Sequence, residues 1–292
     1  MLRSSSHVVA TIAVVGAVAT ACGGGSGDPT ILEWKAAAPV SPVVIESETV
    51  LYAERLTGRV MRIDLDRPGS EPMLVAQVDV DSSGEQRGLI GLSVLADKVY
   101  GAWTRAGDQR LVIGEIQPVL RPLWFGPPTS YKAIGGHLDV LNGRLVVGLG
   151  ELVADPDLAG KIITLDPNGP VEQTPIVLSE GWHNPFAFIV RDGEVIVADN
   201  APEGVGERLG TQPVPESAQR APSAAVVTPD GRIGVCGYLD REMRAYTLAP
   251  DGTVERAGTI VKAGCATGAA ALGDGRYVVT DETTVRLITP EG

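Results

Sequence analysis

Histidine is the side chain whose proton comes and goes near neutral pH, so chemistry is sought first at His137 and His183. The third histidine, His7, lies in an N-terminal leader. His137 stands in "YKAIGGHLDVLNG" and His183 in "EGWHNPFAFIVRDGEVIVADN". Each is a candidate proton acceptor or ligand, and each is equally a candidate structural histidine held by hydrogen bonds. Trp182 offers a flat apolar face to stack on a sugar ring, with Asn184 close by in sequence, although packing at a junction between structural units uses the same indole. Two histidines are too few for a histidine-only metal centre, and no Cys/His cluster has zinc-like spacing. "GLGELVADPDLAG" is glycine-bearing but lacks the lysine of a phosphate loop.

The elements that must position these residues repeat. A turn, one polar residue and a short apolar strand recur as "SETVLYAE", "ADKVYGAW", "NGRLVVGLG", "DGEVIVADN", "DGRIGVCGY" and "DGRYVVTDE". Their first apolar residues, Val50, Val99, Leu145, Val195, Ile233 and Tyr277, are separated by 49, 46, 50, 38 and 44 residues. A period of roughly 40 to 50 residues with several short strands per unit is the signature of a β-propeller. Long amphipathic helical patterns are missing, and 36 glycines with 21 prolines suit many strands and turns. The expectation is an all-β, six-bladed propeller spanning residues 30–292. In the last unit "GAAAL", "RYVVTD" and "VRLIT" supply three strands and then the repeat stops. An unpaired edge would remain unless "TILEW", Thr30 to Trp34, supplies the fourth. The carboxylates Glu54, Glu151, Asp199 and Asp281 fall at equivalent strand ends, which favours turn hydrogen bonding over acid–base catalysis.

Residues 1–21 read as a signal peptide: Arg3 precedes the small-residue apolar run "VVATIAVVGAVATAC", too short to span a bilayer with flanks of its own. The small residues before Cys22 resemble a bacterial lipobox, making Cys22 a candidate lipid anchor; cleavage near Ala21 without lipidation is the alternative. Residues 22–29, with "GGGSGDP", form a flexible tether. The expected location is therefore extracytoplasmic, on a bacterial cell membrane. Removing the leader with Arg3 leaves 23 basic against 36 acidic residues, a formal charge of −13. That argues against nucleic acid or an anionic membrane surface as a partner. With Cys22 assigned to the anchor, Cys236 and Cys265 remain as an even pair in an oxidising compartment, where a disulfide is favoured over two buried thiols.

Four segments, in order, carry a family resemblance. "LYAERLTGRVMRIDL", "GEQRGLIGLSVLADKVYGAW", "GRLVVGLGELVADPDLAGKIITLDPNG" and the segment around "HNP" are similar to stretches of the glucose/sorbosone dehydrogenase family. That family consists of six-bladed propellers and includes the pyrroloquinoline quinone (PQQ)-dependent soluble aldose dehydrogenases; the chain resembles a shortened member. The resemblance implies PQQ and calcium as cofactors, with Asp199, Glu203 and Glu207 of "ADNAPEGVGERLG" as calcium candidates. The spacing matches no EF-hand loop. It also places Gln86 near a substrate. At the family's catalytic histidine the placement gives Ala133, with His137 where an arginine stands; at its quinone-holding arginines it gives His183, Cys265 and Thr267. Arginines fit the three carboxylates of PQQ through bidentate charged bonds that neutral side chains do not make.

Two functions follow. One is a lipid-anchored binding propeller that holds a small polar ligand such as a sugar, or a protein, at its channel mouth. The other is a divergent PQQ-dependent aldose dehydrogenase with His137 as base. Both expect Gln86, His137, Trp182, His183 and Asn184 to gather in one cluster.

Overall fold

The computed structural model describes residues 30–46, 48–67, 69–152, 155–200, 206–216 and 219–290, and these are all-β. Cys22 and its tether lie outside the described residues, as does Glu203. Among the described residues no helix is long and apolar enough to cross a membrane.

Twenty-four strands form six four-stranded antiparallel sheets. The first strand, β1 (Thr30–Lys35), stands apart from the five sheets that follow it. Blade 1 is β2 (Pro39–Glu46), β3 (Thr49–Glu54), β4 (Arg59–Asp64) and β5 (Met73–Gln77). Blade 2 is β6 (Leu89–Leu95), β7 (Lys98–Thr104), β8 (Arg110–Gln117) and β9 (Arg121–Pro128). Blade 3 is β10 (Gly135–Leu141), β11 (Arg144–Leu149), β12 (Lys161–Leu165) and β13 (Ile176–Glu180). Blade 4 is β14 (Ala187–Arg191), β15 (Glu194–Asp199), β16 (Arg208–Leu209) and β17 (Gln212–Pro213). Blade 5 is β18 (Pro222–Val227), β19 (Ile233–Gly237), β20 (Met243–Leu248) and β21 (Val254–Val261). Blade 6 has β22 (Gly268–Ala271), β23 (Tyr277–Thr280) and β24 (Thr284–Ile288) from the end of the chain, and β1 completes it.

The six sequence repeats are β3, β7, β11, β15, β19 and β23, the second strand of every blade. These strands read as apolar runs rather than alternations because each blade is covered on both faces. Six hydrophobic clusters fill the six gaps between neighbouring blades. Tyr52, Leu272 and Val285 join blades 6 and 1, for example, while Val146 and Phe188 join blades 3 and 4. Inner hairpins close with two-residue turns in which both residues have positive φ: Asn142 and Gly143 at 50° and 75°, Asp192 and Gly193 at 53° and 82°. Such turns match the twist of the paired strands, which explains the Asn-Gly and Asp-Gly dipeptides there.

Closure follows the expected route. Leu32 to Lys35 pair antiparallel with Leu287 to Thr284, so the outermost strand of the last blade comes from the start of the domain. Trp34 is buried between blades and donates its indole N–H to the Ser70 carbonyl at 3.1 Å. Cys236 in β19 and Cys265 just before β22 form a disulfide with Cα atoms 5.3 Å apart, tying blade 5 to the entry of blade 6.

Candidate ligand site at the mouth of the central channel

The six inner strands, β2, β6, β10, β14, β18 and β22, stand around the propeller axis. They enclose a channel of about 370 Å³ lined in part by Ser41, Ser93, His137, Asp139 and Phe188. At one end the loops entering the inner strands meet the loops leaving the second strands. There they form a mouth of about 400 Å³ whose lining includes Arg55, Gln86, Asn184 and Tyr238. Ser223 and Thr267 line both spaces, which places the two next to each other. The mouth has the size of a small-molecule site.

Strand-end carboxylates hold the entry loops in place. Asp199, fully buried at the end of β15, accepts the backbone N–H groups of His183 (3.1 Å) and Asn184 (2.9 Å) and a bond from Arg208 Nη2 (2.6 Å). Glu54 takes the Ala37 N–H at 3.1 Å and Arg59 Nε at 2.7 Å, fixing the entry to β2. Asp281 accepts from the N–H of Thr283 and Thr284 and from Arg286 Nη1 at 2.7 Å. The expected structural role therefore describes these three. Glu151 departs from it: its carboxylate reaches the next blade and meets His183 Nε2 at 2.8 Å.

Two amides are thereby aimed. Asn184, 1% exposed, accepts the Gly135 N–H on its Oδ1 at 3.1 Å. Gln86 accepts the adjacent Ile134 N–H on its Oε1, also at 3.1 Å. Consecutive backbone donors fix both oxygens, so the amide orientations follow from the network rather than from choice.

Gln86 and Asn184 thus come together at the mouth, while the other three expected residues lie elsewhere. His137 sits within β10, deeper in the channel, edge-on to the Phe188 ring at 4.7 Å between centroids. Burial pulls its pKa down to about 4, partly offset by a hydrogen bond to the Phe188 backbone, so the imidazole is neutral at pH 7. His183 lies outside the mouth lining and is held on both ring nitrogens, by the Asn200 carbonyl at 2.5 Å and by Glu151. Trp182 is a packing residue: its N–H bonds Ser179 Oγ at 2.9 Å, and the Arg208 guanidinium covers its ring at 4.9 Å. A single cluster of five therefore does not form: Trp182 is committed to Ser179 and Arg208, His183 to Asn200 and Glu151, and His137 lies in the channel.

The positions that the resemblance assigns to chemistry are used by the fold. Ala133 is buried with φ of 56° and accepts the Glu151 N–H on its carbonyl. Cys265 is in the disulfide, and Thr267 donates to the Pro39 carbonyl at 2.6 Å. Of the calcium candidates, Asp199 is committed as above, and Glu207 accepts the Arg220 N–H at 2.8 Å, fixing the entry to β18. Among the described residues no group of three or more His, Cys, Asp or Glu side chains converges as a metal site. Sequence reasoning missed Arg55. It lies within the "LYAERLTGRVMRIDL" resemblance, but strand pattern alone does not distinguish a mouth-lining arginine from Arg59, which pairs with Glu54.

No protein-family model matches the chain, and no curated protein matches it. Solved structures do. The PQQ-bound form of aldose sugar dehydrogenase from Streptomyces coelicolor is 18% identical with a TM-score of 0.69, over 90% of this chain and 97% of that one. A glucose dehydrogenase is 19% identical with a TM-score of 0.70, over 90% and 99%. The fold is that of the sugar dehydrogenase propellers. Virginiamycin B lyase from Staphylococcus aureus shares it more loosely, at 9% identity and a TM-score of 0.52 over 88% of each chain. At such identities the likeness is one of fold, and fold alone does not carry chemistry.

PQQ itself is tested by the charge of the mouth. Arg55 is the one cation in the lining among the described residues, and Glu85 and Glu282 stand in the same lining. One guanidinium beside two carboxylates does not fit a ligand bearing three carboxylates.

Proposed function

We propose that the protein is an extracytoplasmic propeller, attached to the membrane through a lipid on Cys22, that binds a small polar ligand at its channel mouth without quinone-dependent oxidation. The ligand is of the sugar class, and a bound protein is the competing occupant. One observation supports this above others. The residues standing at the catalytic and quinone-holding positions are tied into the fold, as a buried alanine, a half-cystine, a threonine bonded to Pro39 and a histidine held by Glu151 and Asn200. His137 reaches the channel but faces an aromatic ring in surroundings that disfavour its protonated form.

The test is titration of purified protein with PQQ and calcium, following quinone absorbance and melting temperature, together with dye reduction in the presence of an aldose. A ligand specific for the folded state raises the melting temperature by mass action. The expected result is no PQQ-dependent stabilisation and no dye reduction above background. Loss of a catalytic base alone typically removes a factor of ~10² to 10⁴ in rate. Robust aldose-dependent dye reduction that needs added PQQ and disappears in His137→Ala would establish the divergent dehydrogenase instead. For the anchor, Cys22→Ser should move the protein out of the detergent phase; unchanged partitioning would remove the lipid from the proposal.

A further inference from the structure

Two amides and one guanidinium bring donors to the mouth, alongside the Glu85 and Glu282 carboxylates. Asn184 and Gln86 each use their side-chain oxygen on a backbone N–H, which leaves their amide nitrogens for the cavity. Arg55 donates Nη1 to the Arg87 carbonyl at 2.8 Å, and its other nitrogens meet no carboxylate among the described residues. Arg59, Arg208, Arg220 and Arg286 pair with acids, whereas Arg55, like Arg110 and Arg144, bonds to oxygens other than carboxylates among the described residues. Arg87, the neighbouring cation, is turned away onto the carbonyls of Thr129 and Ser130. Burial pulls the Arg55 guanidinium below its ordinary pKa, an unfavourable setting for a cation that an incoming anion relieves. The same lining has less polar surface as well: Leu56 and Tyr238 are 44% and 45% exposed, and Phe186 lines the mouth with them.

We infer that the mouth selects a small ligand bearing a single carboxylate, received by Arg55 and by the amide nitrogens of Gln86 and Asn184, with its less polar face against Leu56 and Tyr238. This rests on the reading of the mouth as the ligand site and adds the charge of what enters. Glu85 sets the upper limit, since it stands in the same lining and a second or third anionic group would meet its carboxylate. Glu282 is itself held by Arg241 at 3.0 Å and so is not available to neutralise Arg55.

The experiment is calorimetric titration with two matched pairs, glucuronate against glucose and benzoate against benzyl alcohol, on the wild type, Arg55→Gln and Arg55→Lys. In at least one pair the carboxylate should bind and its neutral partner should bind at least tenfold more weakly. Arg55→Gln should weaken the carboxylate roughly ten- to a hundredfold, the range of a charge-assisted hydrogen bond, and Arg55→Lys should recover part of the loss. Far-ultraviolet circular dichroism and melting temperature confirm that each variant is folded; should Arg55→Gln not fold, the neutral–carboxylate comparison on the wild type decides. Equal binding of neutral and charged partners would overturn the charge assignment while leaving the mouth a ligand site. Carboxylate binding untouched in folded Arg55→Gln, or no carboxylate binding at all, would overturn it as well. Failure of the proposed function registers separately, as PQQ-dependent dye reduction.

Discussion

Asp199 shows how much one carboxylate can organise. Its oxygens bind two successive N–H groups of the loop that carries His183 and Asn184, and the Arg208 side chain besides. Replacing it with alanine leaves those donors in a buried place without an acceptor. Because Arg208 is one-third exposed and can turn to water, the expected loss is about 2–4 kcal/mol rather than the full cost of a broken buried pair. Urea unfolding of Asp199→Ala measures it, and ligand affinity at the mouth should fall with it, since Asn184 is no longer aimed. His137 gives the residue scale a pH dependence. Its folded pKa of about 4 lies below the ordinary 6.5, so the unfolded chain takes up a proton first as the solution is acidified. The associated stability is complete above pH 6.5 and is lost as pH falls towards 4, by up to about 3 kcal/mol. His137→Gln should flatten that part of the stability profile; an unchanged profile would show the imidazole to be better solvated than its surroundings indicate.

Elements were more legible in the sequence than side-chain directions. The six strand repeats mark the second strands because those positions are buried on both faces in every blade, so the same composition is demanded six times. "TILEW" is recognisable as the closing strand because a three-stranded remnant needs an edge partner. Trp182 and His183 were harder. Both precede β14, as their place in the repeat requires, but one packs under Arg208 and the other turns to Glu151 in blade 3. Those partners are 26 and 32 residues away, and spacing does not reveal them. Two element-scale outcomes follow. Trp34→Ala in β1 should cost about 3–5 kcal/mol by opening the cluster it shares with Tyr52 and Leu272. Deleting residues 30–35 should add concentration-dependent association, seen by light scattering, because β24 becomes a free edge. Breaking the Cys236–Cys265 bridge with a double serine variant should lower stability by about 3–4 kcal/mol, as a 29-residue separation implies in the chain-entropy model. Equal denaturant midpoints for the variant and the oxidised wild type would contradict that.

For the molecule as a whole, the ring is shared with sugar dehydrogenases, and its mouth is lined by one arginine and two glutamates among the described residues. Loops entering the inner strands are gathered by the ring itself, which brings Gln86 and Asn184 to one mouth. The resemblance did not supply Arg55, which has no acidic partner among the described residues, a property of the assembled funnel rather than of any motif. Closure by β1 has a consequence in time. The first strand of the domain pairs with the last, about 250 residues later, so a growing chain keeps the β1 edge without its native partner until β24 has been made. Contacts so far apart in sequence are slow to form, since the intervening chain must be ordered before the two ends can meet. Losing only the final strand would leave the N-terminal strand just as stranded, so nascent chains that stop short of Thr284 should be recognised by proteases as unfinished at both ends.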